Sequence, residues 1–160
     1  MCILLARKPK KAGRSRGVKS MNDLLLQGEY ADIIVELLNE PYKVDSVAKI
    51  VFFAFCVRNE TQTSYRNRRT DFVDVLLNNL NIKLLSHPDE LQNIFEILNK
   101  MKKCGWITTE GGKIAILKEF DKSKSDNRFL TGCRGKDTNP VIEVNKLDDM
   151  AFIEEVLRHV

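Results

Sequence analysis

Hydrophobic residues recur at helical spacing along much of the chain, and this pattern predicts a mainly α-helical protein. Residues 30–39 place isoleucine and leucine pairs at intervals of three and four, and Pro41 ends the run. Residues 42–58 are apolar on nearly every side, which predicts one long helix at the centre of the core. A further helix is predicted over about 65–79. Residues 81–86 are short enough for a strand or a loop.

The clearest helix signal begins at Ser86. This residue is a candidate helix cap, and Pro88 and two acidic residues follow it in the first turn. Lysines gather in the last turns, and Gly105 is a candidate C-terminal stop. The apolar face predicted for this helix consists of Leu91, Ile94, Phe95, Leu98 and Met101.

A β-hairpin is predicted immediately after this helix. Residues 106–109 and 113–117 are short β-prone runs, and Glu110, Gly111 and Gly112 between them suit a tight turn. A winged-helix domain has the same order of elements: helices, then an amphipathic helix, a glycine stop and a small hairpin. The predicted fold is therefore mainly α (α+β), a winged-helix-like domain with a small β-hairpin wing.

The last 40 residues are predicted as a loop followed by a docking segment. Residues 121–140 are polar and rich in turn residues, and residues 141–144 are predicted as an edge strand. A final helix, capped by Asn145 or Asp148, runs to about His159. This C-terminal helix suits docking onto a partner, while packing back on its own core is the alternative. Its candidate partner-contact residues are Met150, Ile153, Val156 and Leu157.

Positive charge is concentrated at the start of the chain. The 160 residues carry a formal net charge of +4, but seven of the 26 basic residues and none of the 22 acidic ones lie in residues 1–20. This segment lacks apolar periodicity and is predicted to be disordered. It either contacts phosphates, or is a solvated tail, or is a leader before a start at Met21. Its candidate nucleic-acid contacts are Arg7, Lys8, Lys10, Lys11, Arg14 and Arg16.

A second basic cluster lies in the predicted helix over 65–79. Arg66, Arg68 and Arg69 are candidate contacts for phosphate or for an acidic partner surface, and solvated side chains are the alternative.

No pattern of catalytic or metal-binding residues is found. The four cysteines are scattered without a CxxC pair and there are two histidines, so we expect neither a zinc site nor a disulfide framework, and a reducing cytoplasmic location. Cys133 has the basic neighbours Arg134 and Lys136, which would lower the pKa of a thiol, but no base is placed to activate it. We assign no catalytic, cofactor-binding or metal-binding residue and expect no enzyme activity. No apolar run approaches the ~20 residues of a membrane span.

The predicted recognition helix carries little net charge for reading DNA. In winged-helix DNA readers, the helix before the wing usually enters the major groove and is surrounded by basic residues. Here the wing contributes one acid, Glu110, and one base, Lys113. The balance favours a winged helix used in protein–protein assembly. The charges assigned to the solvent side of the helix cancel, and they are Asp89, Glu90, Glu96, Lys100, Lys102 and Lys103.

Three stretches carry a family resemblance: YADIIVELLNEPYKVDSVAKIVFFAF, LNKMKKCGWITTEGGKIAIL and the final NPVIEVNKLDDMAFIEEVLRHV. Over about residues 30–160, the chain resembles the middle components of bacterial three-component ABC systems, which include Lamassu-type antiphage defence operons. The resemblance implies a non-catalytic adaptor that bridges an SMC-like or ABC-type ATPase and a nuclease-like effector, with DNA contacted within the complex as an option. It assigns no role to any individual residue.

These predictions divide the chain into a basic tail (1–20), a winged-helix-like domain (21–120), a polar loop (121–140) and a docking segment (141–160). The first functional hypothesis is the adaptor subunit. The alternative is a winged-helix DNA-binding transcriptional regulator, and a toxin–antitoxin partner is left open. We expect no membrane partner.

Overall fold

The computed structural model describes residues 20–60, 71–118 and 125–160. These residues are mainly helical and contain one antiparallel sheet of two strands, which confirms the predicted mainly α class. The helices are α1 (Met21–Leu38), α2 (Val47–Arg58), α3 (Phe72–Leu77), α4 (Leu80–Ser86), α5 (Glu90–Lys103), α6 (Arg128–Cys133), α7 (Pro140–Asn145) and α8 (Asp149–His159). The strands are β1 (Ile107–Glu110) and β2 (Lys113–Ile116).

Helix α1 begins earlier than its apolar pattern predicts. Ser20 caps it and forms a capping box with Asp23, in which each side chain bonds the backbone N–H group of the other residue. The apolar residues of its C-terminal half, including Ile33 and Leu37, are buried. Its first turns therefore form from local capping, while its later turns are held by burial.

Helix α2 occupies the centre of the core, as predicted, but the prediction that it starts at residue 42 is wrong. Ser46 is its N-cap and accepts a hydrogen bond from the N–H group of Lys49. The backbone just before it is used by the hairpin, because the N–H group of Ile114 donates to the carbonyl of Asp45 at 2.7 Å. Val47 likewise donates to the carbonyl of Gly112 at 2.9 Å.

Strands β1 and β2 form the predicted hairpin. Ile107 lies opposite Ile116, and Glu110 lies opposite Lys113. Gly111 and Gly112 have φ values of 56° and 78°, in the left-handed region that favours glycine, so the turn chemistry explains this element directly. On the inner face, Ile107 and Ile114 are buried.

The middle of the chain differs from its prediction. The helix predicted over about 65–79 is confirmed only from Phe72 to Leu77, and residues 61–70 lie outside the described part of the chain. Asn79 then adopts a left-handed conformation with φ of 52°, which separates α3 from α4. The strand or loop predicted for 81–86 is wrong, because these residues are helical and continue from Leu80, which is fully buried.

The C-terminal segment contains more helix than predicted. Helix α6 lies within the predicted 121–140 loop and is capped by the side chain of Asn127. The strand predicted for 141–144 is wrong, because Asn139 caps a helix and Pro140 occupies its first turn. The final helix is confirmed with Asp148 as its N-cap, and its Phe152 ring packs edge-on against that of Phe53, with centroids 5.3 Å apart.

Candidate interaction surfaces

The nine predicted nucleic-acid contacts all lie outside the described residues. They fall within residues 1–19 and 61–70 of the sequence. They are Arg7, Lys8, Lys10, Lys11, Arg14, Arg16, Arg66, Arg68 and Arg69.

Lysines near the predicted recognition helix are engaged by other parts of the protein. Lys100 Nζ donates to Gln27 Oε1 of α1 at 2.8 Å. Lys102 Nζ reaches across to the hairpin and donates to Thr109 Oγ1 at 2.9 Å. In the wing, Lys113 Nζ lies 3.1 Å from Asp149 Oδ2 and 3.6 Å from Asp45 Oδ1. These contacts raise the pKa of Lys113, chiefly through the bond to Asp149, and the two carboxylates offset the positive charge that it presents to phosphates.

The sequence pattern places Glu90 on the solvent side of α5, and this prediction is wrong. Its carboxylate is buried and accepts hydrogen bonds from the Tyr30 hydroxyl and from Asn59 Nδ2. Arg58 Nη1 and His87 Nδ1 lie 3.4 and 3.3 Å from its other oxygen. Burial, followed by the bond to Glu90, raises the pKa of Tyr30. Glu90 therefore anchors the start of α5 instead of contributing surface charge.

Helix α5 and the base of the hairpin, which follow one another in the chain, each expose large apolar side chains. Phe95, predicted to face the core, is 49% exposed, and Ile97 is buried instead. On the hairpin, Trp106 is 43% exposed, and the Leu117 N–H group donates to its carbonyl at 2.8 Å. The Leu117 side chain is also exposed. We call Phe95, Trp106 and Leu117 the wing surface.

Helix α8 divides the four predicted partner contacts between two faces. Met150 and Leu157 are 68% and 69% exposed, and Ile153 is also exposed. Val156 is buried beside Phe152, because the two residues are one turn apart on the face that packs against the core. Only three of the four therefore lie on an accessible surface, and the helical period explains the difference.

Both ends of α8 are fixed to other elements. At its start, Lys113 holds Asp149; burial opposes ionisation of this carboxyl, but the hydrogen bond from Lys113 outweighs it and lowers its pKa. At its end, His159 Nε2 lies 3.1 Å from Asp74 Oδ1 of α3, and His159 Nδ1 lies 2.7 Å from the Glu155 carbonyl. Partial burial opposes protonation of His159, but these two acceptors outweigh it and raise its pKa.

A cleft of about 460 Å³ lies beside Cys133, between the end of α1 and the segment joining α6 to α7. Burial raises the pKa of the Cys133 thiol and outweighs the effect of Lys136, which lowers this pKa as expected of a basic neighbour. Arg134 is instead directed at Glu36, with Nη2 2.9 Å from Oε2, and its Nη2 also donates to the Ser125 carbonyl. Asn139 Nδ2 likewise donates to the Tyr42 hydroxyl at 3.2 Å, so these two pairs of lining groups hold the walls of the cleft together.

Comparison with protein-family models, curated proteins and solved structures finds no match for the chain. Within the described ranges, no three His, Cys, Asp or Glu side chains are grouped as a metal site requires. No helix in that part of the protein has both the length and the apolar character needed to cross a membrane.

Two features of these surfaces, the burial of Glu90 and the exposure of Phe95, were not predicted from the sequence. The bonds of Glu90 join residues far apart in the chain, and no local pattern indicates them. The exposure of Phe95 does have a sequence signal: Ile94, Ile97, Leu98 and Met101 already form a complete apolar face at spacings of three and four.

Proposed function

We propose that the chain is a non-catalytic adaptor subunit with a winged-helix-like arrangement. Element order supports this arrangement: α1, the extended residues 45–46, α2, α5 and the hairpin follow one another, with α3 and α4 inserted between α2 and α5. The bridge between Ser46 and Lys113 supports it as well, since winged-helix domains commonly pair a short strand before the second helix with the hairpin.

The proposal that this arrangement binds a protein partner depends on the wing surface. A DNA-reading surface needs lysines and arginines free to neutralise phosphates. Here Lys113 is paired with Asp149, Lys100 and Lys102 are hydrogen-bonded to Gln27 and Thr109, and Lys103 is exposed. Phe95 of α5 and Trp106 before the hairpin are exposed as well. Exposed aromatic side chains of this kind are typical anchors of protein–protein interfaces.

The exposed face of α8 supports a bridging role. A subunit that joins two partners needs two contact surfaces, and the apolar side chains of α8 lie on a different element from the wing surface. From the family resemblance, we propose that the partners are an SMC-like or ABC-type ATPase and a nuclease-like effector of a cytoplasmic antiphage complex. We assign DNA contact within that complex to the basic side chains in residues 7–16 and 66–69.

The alternative function, a DNA-binding regulator, makes a different prediction for α5. A regulator places Lys102 or Lys103 on phosphates, so charge reversal there reduces the steepness of the salt dependence by about one unit for each phosphate that is no longer neutralised. An adaptor has no such dependence, whatever affinity the basic tail confers.

The experiment is duplex-DNA binding by the full chain over a series of salt concentrations. The variants are Lys102→Glu and Lys103→Glu, with Lys146→Glu as the control, since Lys146 is exposed and paired with Glu143 on α7. The adaptor proposal predicts that all three variants retain the salt slope of the unmodified chain. A shallower slope for either α5 variant, with the control unchanged, contradicts it and favours the regulator.

A further inference from the structure

We propose that the exposed face of α8 binds a single amphipathic helix whose apolar seam is flanked by basic residues. This inference rests on the proposed adaptor function, because it names the chemistry of one partner. Met150, Ile153 and Leu157 form this face of α8, Val160 directly follows the last helical residue, and we call these four residues the outer stripe.

The spacing of the outer stripe is that of a coiled-coil seam. Met150, Ile153, Leu157 and Val160 are separated by three, four and three residues, as the a and d positions of a heptad are. All four side chains are exposed, while Phe152 on the same helix is fully buried. Helix α8 therefore packs one face against the core and exposes a narrow apolar seam on another. A seam of this width is matched by a single partner helix and not by a flat partner surface.

The fold of the chain itself fixes α8 in position before a partner binds. Phe152 and Val156 fix the inner face, the Lys113 and Asp149 pair fixes the first turn, and His159 with Asp74 fixes the last. A helix already fixed by its own fold loses little conformational entropy when it binds.

The charged residues beside the seam determine which charge a partner helix should carry. Glu154 lies at the e position of the heptad defined by the outer stripe, on the side away from the core. The nearby base, Arg158, is already bonded to Glu155 Oε1 at 2.6 Å. On the other side of the seam, Asp149 is held by Lys113. The exposed flank is thus acidic and suits a partner with lysine or arginine opposite it.

The same charges disfavour a second copy of the chain. In an antiparallel pair of outer stripes, e positions face e positions and Glu154 meets its own counterpart. In a parallel pair, g faces e, so Glu154 lies opposite Asp149, whose charge Lys113 already offsets. Neither arrangement places a base directly opposite Glu154, so the observations favour a basic helix from another protein.

The test uses two synthetic helical peptides of about three heptads with identical leucine and isoleucine seams. One carries lysine at the flanking e and g positions, and the other carries glutamate. Binding to the full chain is measured by fluorescence anisotropy at low and high salt. We expect the lysine peptide to bind at least tenfold more tightly, with the preference shrinking at high salt. Absence of binding, or equal binding of both peptides, overturns the proposal.

Two variants locate the site. Leu157→Asp changes an exposed position and is expected to abolish peptide binding without loss of folding. Glu154→Lys is expected to reverse the preference toward the glutamate peptide. Leu85→Ala, at an exposed apolar side chain of α4 that belongs to neither surface, is the control and is expected to leave both affinities unchanged. Retained lysine preference in Glu154→Lys contradicts the assigned flank.

Two other occupants have distinct outcomes. A dimeric full chain that Leu157→Asp makes monomeric identifies a second copy. Lysine-peptide binding that appears only when the basic residues between 7 and 16 are replaced by glutamine identifies the chain's own tail. Either result overturns the proposal. Peptide binding as expected, with no protein partner recovered from the host, would sink the adaptor function while leaving the peptide-binding property of α8 intact.

Discussion

The carboxylate of Glu90, at the first position of α5, accepts a hydrogen bond from the hydroxyl group of Tyr30 in the interior of the protein. Asn59 Nδ2 donates to the same oxygen at 2.8 Å, so α1, the end of α2 and α5 meet at one acidic group. Since Glu90 is the first residue of α5, this contact anchors the start of the helix to α1 and to the end of α2.

Tyr30→Phe tests this contact by removing one donor to a buried carboxylate. We expect a loss of about 1.5–3 kcal/mol in the free energy of unfolding, the range for hydrogen bonds to charged groups. The control is Tyr42→Phe, since the Tyr42 hydroxyl is also buried but bonds the neutral amide of Asn139 at 3.2 Å. That loss should be about 0.5–1.5 kcal/mol. Urea unfolding measures both, and a larger loss for Tyr42→Phe would show that Glu90 is not the principal acceptor.

Lys49 is predicted to hold α7 and α8 together. Its side chain is buried, and Nζ donates to the Asn145 and Leu147 carbonyls, the first at 2.9 Å. Lys49→Met preserves the stem but leaves these carbonyls without their donor, so we expect unfolding free energy to fall by about 1–3 kcal/mol. Lys146→Met, at an exposed ion pair, should change it by less than about 0.5 kcal/mol. Equal losses in thermal or urea unfolding would contradict the buried role of Lys49.

The contact between His159 and Asp74 is predicted to stabilise the protein at low pH. The Glu155 carbonyl can only accept, so Nδ1 carries a proton, and Nε2 donates to Asp74 only when the ring is charged. The folded pKa of His159 is raised, so the stabilisation is complete below the unfolded pKa and disappears as pH rises through the folded one.

Comparing the unmodified chain with Asp74→Asn isolates this effect. The stability difference should be larger at about pH 5.5 than at about pH 8.5, on either side of the ordinary histidine pKa. Its size should stay below about 1 kcal/mol, because the Asp74 side chain is largely exposed. A difference that grows with pH would have the wrong sign and would rule out the proposed charge state.

The elements predicted correctly are those with complete local signals. The end of α5 at Gly105, the hairpin turn at Gly111 and Gly112, and α8 with its Asp148 cap each depend on a few neighbouring residues, so little depends on the rest of the fold. The predicted start of α5 is wrong, because Ser86 is the last residue of α4 and α5 begins at Glu90.

The errors arise where one local signal competes with another, or with a distant partner. Residues 141–144 are β-prone, but Asn139 and Pro140 start a helix there. Residues 42–46 are apolar enough for helix, but the hairpin takes the backbone of Asp45 as a partner. The burial of Glu90 depends on Tyr30 and Asn59, which no pattern near Glu90 reveals.

The central claim is that the wing surface binds a protein partner, and affinity purification from the native host tests it most directly. The full chain and a Phe95→Ser variant are compared at moderate salt, and mass spectrometry identifies what remains bound. We predict near-stoichiometric recovery of a large ATPase with the unmodified chain and a strong reduction with Phe95→Ser. Recovery of the chain alone, or of a homodimer retained by DNA and unaffected by Phe95→Ser, would contradict the adaptor function.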